Sequence, residues 1–285
     1  MAKVTKHPYA GKSGYERDFI KVIHEMTYSG RRRHANVLED FLEMAYCAVA
    51  KSTLLPGSEA DALEERYRRV EQRNEAEYIR RMPELLALFS LAHGQEHGDG
   101  DFLGRVAGEL GALNEGAGQF FTPFEVSKLM AKINLTGVGE VIERQGFVTI
   151  SEPASGAGGM LLAAAEALEE EGFDPHIHMW AQAIDVSATS YRMTYLQLAA
   201  RGIPADVIHG NALSLEQWDS AITPAKIPFV LHQGPRWVEW CRTLASPGRP
   251  PEEAETVIDS KPTAITHIPA RPAKHRPLAA QMSLF

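Results

Sequence analysis

An acid, a proline and three glycines lie together in Glu152-Pro153-Ala154-Ser155-Gly156-Ala157-Gly158-Gly159, directly after the apolar run 147–150. Glycines in a strand-to-helix turn let the backbone come close to a ligand. A dinucleotide site would open its helix with Gly-x-Gly-x-x-Gly, whereas here Met160 follows Gly159 and the third glycine is missing. Glu152 would also repel a pyrophosphate. A carboxylate at that point suits an amine or another cation, so the turn favours a positively charged, amino-acid-like ligand. Asp185 stands 29 residues after Gly156, at the end of the next apolar run. An acid there can accept hydrogen bonds from ribose hydroxyls, and ahead of a helix it also favours the helix dipole.

These groups need a scaffold. From 147 onward, short apolar runs at 147–150, 179–184, 205–208 and 228–231 read as strands, and 159–170 and 188–200 between them read as helices. That alternation predicts βαβ units around a mostly parallel sheet. The first third reads as amphipathic helices: Tyr15, Phe19, Val22, Ile23 and Met26 recur three and four apart, as do Val37, Phe41, Leu42 and Tyr46. The pattern continues through 59–81, 85–91 and 102–113. Beyond Ala245, seven prolines fall among few large apolar residues, which predicts a flexible tail. The expected organisation is a helical region at 1–114, a ligand-binding domain at 115–244 and a tail at 245–285.

A second motif, Gly118-Gln119-Phe120-Phe121-Thr122-Pro123-Phe124, lies about thirty residues before the glycine turn. With that turn at this spacing, the chain closely resembles the N6-adenine DNA methyltransferases of the type I restriction-modification kind, over roughly 101–213. The resemblance implies an α/β, Rossmann-like doubly wound methyltransferase fold with an N-terminal helical region, and S-adenosylmethionine as cofactor. It carries over Gln119, Phe121, Thr122 and Pro123 at the methionine end, Glu152, Ala154, Gly156 and Gly158 in the turn, and Asp185 at the ribose. Glu152 stands where the family usually has Asp, keeping the charge on a longer arm. The stretch 209–213, HGNAL, resembles the family's Gly-Asp segment, with Asn211 in place of Asp.

The family also supplies Asn-Pro-Pro-aromatic after its fourth strand, to accept the hydrogens of the target amine and stack on the flipped base. This chain has His232-Gln233-Gly234-Pro235-Arg236-Trp237 there instead. Asn211, Gln233 and Trp237 are the candidates around the target adenine, and Trp237 and Trp240 read equally well as core or interface aromatics. Two function classes therefore stand: an adenine-specific DNA methyltransferase, and a methyltransferase-fold protein that binds the cofactor or the replication machinery without methyl transfer. A nicotinamide-dependent oxidoreductase is a distant third.

The formal net charge of −8 argues against indiscriminate coating of nucleic acid, although Lys3, Lys6, Lys12, Arg31, Arg32 and Arg33 make the first segment basic. Cys47 and Cys241 form no Cys-x-x-Cys pair, which predicts neither a metal site nor a disulfide and fits a cytoplasmic protein. No apolar run approaches a membrane span. The expected partners are DNA and a separate specificity subunit. The final QMSLF resembles the pentapeptide that docks on the replicative sliding clamp, through Gln281, Leu284 and Phe285.

Overall fold

The computed structural model describes residues 14–28, 30, 32–94, 100–112, 121–245 and 282–283. Gln119, Gln281, Leu284, Phe285 and nearly all of the tail from 246 onward lie outside the described residues.

Among the described residues, eight helices precede the sheet, the first six being α1 (Gly14–Thr27), α2 (His34–Lys51), α3 (Ser58–Gln72), α4 (Ala76–Ile79), α5 (Met82–His93) and α6 (Phe102–Glu109). Their three-and-four spacing becomes a buried seam of Phe19, Ile23, Phe41, Phe89 and Phe102, packed edge to face. Asp101 caps α6 by accepting from the Gly104 amide at 3.0 Å. Helices α7 (Phe124–Asn134) and α8 (Val138–Gln145) lead to the sheet.

The sheet contains β1 (Val148–Glu152), β2 (Met179–Asp185), β3 (Ala205–Asn211), β4 (Glu216–Ile222) and the two-residue β5 (Met282–Ser283), in the order β4-β3-β2-β1-β5. β1, β2 and β3 are parallel, with α9 (Gly159–Glu170), the short α10 (Pro175–His178) and α11 (Ala188–Ala200) in the crossovers. This is a mixed α/β architecture. β1 is buried along its whole length, as expected of a parallel strand covered on both faces. β4 runs antiparallel to β3, and β5 adds to the other edge of β1, with Met282 opposite Ile150.

The helices 159–170 and 188–200 and the first three strands match the sequence expectation to within a few residues. The run 228–231 does not: it lies inside α12 (Lys226–Gln233), followed by α13 (Pro235–Ala245). A four-residue apolar run fits a buried helix face as well as a strand. Here Phe229 is fully buried against Phe147 and Trp180. The fourth strand is instead Glu216–Ile222, mostly polar and exposed, so it carries no hydrophobic signal.

The core does not break at the expected boundary near 114. Phe19, Phe41 and Phe102 belong to one continuous cluster with Ile150, Leu161, Tyr195 and Val207. The Tyr46 and Tyr191 hydroxyls meet at 2.6 Å between α2 and α11. Arg66 reaches both Glu43 at 2.8 Å and Asp219 at 2.9 Å, tying α3 to α2 and to β4.

Candidate functional site

The glycine turn joins β1 to α9 at the carboxyl ends of the parallel strands. Gly156 and Gly158 have φ of +56° and +94°, a region that side-chain-bearing residues rarely adopt. Both are also closely covered. A Cβ on Gly156 would sit 3.0 Å from the Phe121 ring, and one on Gly158 would sit 3.3 Å from Thr194. The Phe121-Thr122-Pro123 segment is therefore brought onto the turn, as the two sequence motifs imply. Phe124 anchors its far end, where a Cβ on Gly100 would meet the Phe124 ring at 2.7 Å. Thr122 and Pro123 are exposed, and the Pro123 carbonyl accepts from the Val126 and Ser127 amides as α7 begins.

Glu152 ends β1 and is completely buried. Its Oε1 accepts from the Ala154 amide at 3.0 Å. Its Oε2 is buried with no hydrogen-bond partner among the described residues. Burial pushes the Glu152 carboxyl up to about 7; the Ala154 amide opposes the shift and the Asp185 charge adds to it. A buried carboxylate oxygen without a donor is costly alone and is relieved by a cationic partner.

Asp185, at the end of β2, accepts from the Gly156 amide and from the Ser187 amide, each at 2.8 Å. Burial raises its carboxyl and these amides hold it down. It thus stitches the end of β2 to the glycine turn while starting α11. The ligand-directed and helix-directed roles weighed from sequence are compatible, because each oxygen has a second lone pair. Val186, the next residue, leaves an apolar side chain 60% exposed beside it.

The three residues expected around a target adenine are not brought together. Asn211 stands at the end of β3, on the same side of the sheet as Asp185. Its Oδ1 accepts from Leu213 at 2.9 Å and Ser214 at 3.3 Å, which uses that oxygen to close a tight turn. Gln233 is at the other end of the sheet. Its Nε2 donates to the carbonyls of Gly146 and Ile177, ahead of β1 and β2. That is roughly 20 Å of strand from Glu152 at about 3.3 Å per residue. Trp237 lies there too, with ring centroids 4.5 Å from Trp180 and 4.8 Å from Trp240. The alternative reading of Trp237 and Trp240 as core aromatics is the one this packing matches. A place for Gln233 and Trp237 beside the adenine requires 228–231 to be a strand. As helix α12, that run instead carries them under the amino ends of the strands.

Two polar side chains at the turn carried no sequence signal of their own. Thr194 and Gln197, both fully buried on α11, contact the turn's backbone. A threonine and a glutamine within an apolar helix are the only hint. Among the described residues, no cluster of His, Cys, Asp and Glu could hold a metal ion, and no helix is long and apolar enough to cross a membrane. Burial pushes the Cys47 thiol up to about 12.

Comparison with known proteins bears on this geometry. The chain is 32% identical over 129 residues to the type I restriction enzyme MjaIX methylase subunit of Methanocaldococcus jannaschii, an alignment covering 41% of this chain and 20% of that protein. The chain thus spans about a fifth of the length of the curated relative it matches. No solved structure matches it. Residues 102–245, running from the start of α6 to the end of α13 and enclosing both motifs, match the N-6 DNA methylase family, and the chain belongs to that family.

Proposed function

We propose that this chain binds S-adenosylmethionine at the β1–α9 turn and acts as an adenine-specific N6 DNA methyltransferase, on a Rossmann-like doubly wound plan. The observation that carries the cofactor assignment is the buried Glu152 Oε2, without a hydrogen-bond partner among the described residues, at a turn whose left-handed Gly156 is covered by Phe121. The bound cofactor would supply an electrophilic methyl group on a sulfonium. Glu152 would take up the ammonium of its methionine portion, Asp185 would accept from the ribose hydroxyls with its remaining lone pairs, and Val186 would offer apolar surface to the adenine. Phe121 would keep water from the Gly156 backbone. Gln119, Thr122, Pro123 and Ala154 belong to the same proposed site.

DNA is the proposed substrate, and a separate specificity subunit is the proposed source of base readout. Docking on a sliding clamp through Gln281, Leu284 and Phe285 is a further proposal. A clamp would have to compete with the pairing of Met282 and Ser283 along β1.

A second reading, cofactor binding without methyl transfer, is favoured by one observation. Of Asn211, Gln233 and Trp237, none presents a free side-chain acceptor at the turn. Calorimetry with S-adenosylhomocysteine tests the site, and transfer of a tritiated methyl group to mixed-sequence DNA tests the activity. Absence of binding overturns the proposal. Binding without transfer, with or without a specificity subunit, leaves the second reading in its place.

A further inference from the structure

The glycine turn is a run of peptide planes, and its usefulness to a ligand depends on which way each plane faces. Asp185 holds the Gly156 amide at 2.8 Å, and the Ile184 carbonyl holds the Ser155 amide at 2.9 Å. The carbonyls are held from a different element. Thr194 Oγ1 donates to the Gly156 carbonyl at 3.0 Å and pairs with Ser155 Oγ at 3.2 Å. One helical turn on, Gln197 Nε2 donates to the Ala157 carbonyl at 2.7 Å and to Asp101 Oδ1 at 2.8 Å, while Gln197 Oε1 accepts from the Leu103 amide at 2.9 Å. Every polar atom of the Gln197 side chain is thus employed, between α6 on one side and the turn on the other.

In a planar trans peptide the C=O and the N–H point in opposite directions. Drawing the Gly156 carbonyl down onto α11 sends the N–H of Ala157 away from α11. Gly158 is held at a left-handed φ of +94°, where a side chain is strained, and α11 packs directly beneath it, with Thr194 Cγ2 3.3 Å from where a Cβ would lie. We infer that Thr194 and Gln197 are positioning residues: Thr194 fixes the plane that turns the Ala157 amide toward the ligand, and Gln197 fixes the next plane, whose Gly158 amide closes the turn on the Ser155 carbonyl at 2.7 Å. Neither touches the ligand itself. The inference rests on the proposed cofactor site, and it makes α6, through Asp101 and Leu103, part of that site's support.

The test compares Thr194→Val, which keeps the shape and removes the donor, with Thr194→Ser, which keeps the donor. Gln197→Leu serves as an independent second variant. Loss of one buried donor to the turn should weaken S-adenosylhomocysteine binding by about tenfold in Thr194→Val and Gln197→Leu. Thr194→Ser should stay within about twofold of wild type, because its donor is retained. Deuterium uptake of a peptide spanning 152–160 should quicken in the two weakened variants, while uptake across β3 stays as in wild type. Wild-type affinity in Thr194→Val, or equal weakening in Thr194→Val and Thr194→Ser, overturns the inference. If the wild-type chain binds no S-adenosylhomocysteine, the proposed function fails, and uptake at 152–160 still decides: equal rates in Thr194→Val and wild type overturn the positioning role.

Discussion

The two ends of the parallel strands are made of opposite materials. At the carboxyl ends, Glu152 and Asp185 accept from backbone amides, glycine replaces side chains, and one carboxylate oxygen has no donor among the described residues. At the amino ends, Phe147 and Trp180 lie under Phe229, Trp237 and Trp240, a small aromatic core with ring centroids 4.5 to 6.5 Å apart. From sequence, the acids and the pair Gln233 and Trp237 are expected around one site, cofactor and target adenine together; the structure sets them at opposite ends of the strands. The difference is one of charge. Each end buries a side-chain oxygen that has no partner among the described residues, but Gln233 Oε1 at the amino end belongs to a neutral amide beneath the aromatic core, whereas Glu152 Oε2 at the carboxyl end belongs to a carboxyl that can ionise and draw a cation.

The sharpest way to break this contrast is Gly156→Leu, which places a side chain in a left-handed conformation and against Phe121. Cofactor affinity should fall by about a hundredfold or more, because the strain and the blocked approach act together at the point of contact. Titration calorimetry reads the loss, and circular dichroism confirms the fold. Next in size is Glu152→Gln, which should weaken S-adenosylmethionine binding by about thirtyfold, in line with removing one charge-assisted hydrogen bond.

The same residue sets a pH dependence. With its carboxyl raised to about 7 in the folded chain, Glu152 is largely protonated at pH 6 and ionised at pH 8. Affinity for the cationic cofactor should therefore climb across that interval by up to about tenfold, and the Gln variant should lose the slope. The stability contribution has the opposite sign. The folded chain holds the proton through a window where the unfolded chain has released it, so this group favours folding less as pH rises from about 4.5 to about 7. Unfolding in urea at a series of pH values checks that direction. The smallest effect on the ligand belongs to Trp237→Ala. It should cost about 2 kcal/mol of stability for a half-buried aromatic, yet leave cofactor affinity unchanged. A large affinity loss in that variant would mean the two ends are not separate.

Much of this was legible in advance, and what was missed has identifiable causes. β1 to β3, α9 and α11 were readable because burial on both faces of a parallel strand leaves short apolar runs, and the helices between them are long enough to show their own period. The family resemblance assigns Phe121 and Gly156 to one site, while the ring lying directly over the glycine is seen only in the fold. The run 228–231 reads as a strand because four apolar residues carry no period of their own. Glu216–Ile222 escaped because a polar edge strand takes its shape from its neighbour rather than from its own composition. Thr194 and Gln197 were invisible because their meaning comes from the turn packed beneath them, which no local pattern encodes.

The single core shared by α1–α6 and the sheet has a practical consequence for anyone wishing to cut the molecule down. A fragment beginning near residue 115 would carry Tyr191 and Tyr195 into water without Tyr46 to cover them, and would strip Gln197 of two of its three partners. A fragment cut to test the proposed cofactor site therefore has to include helices that, by composition alone, look like a detachable preface.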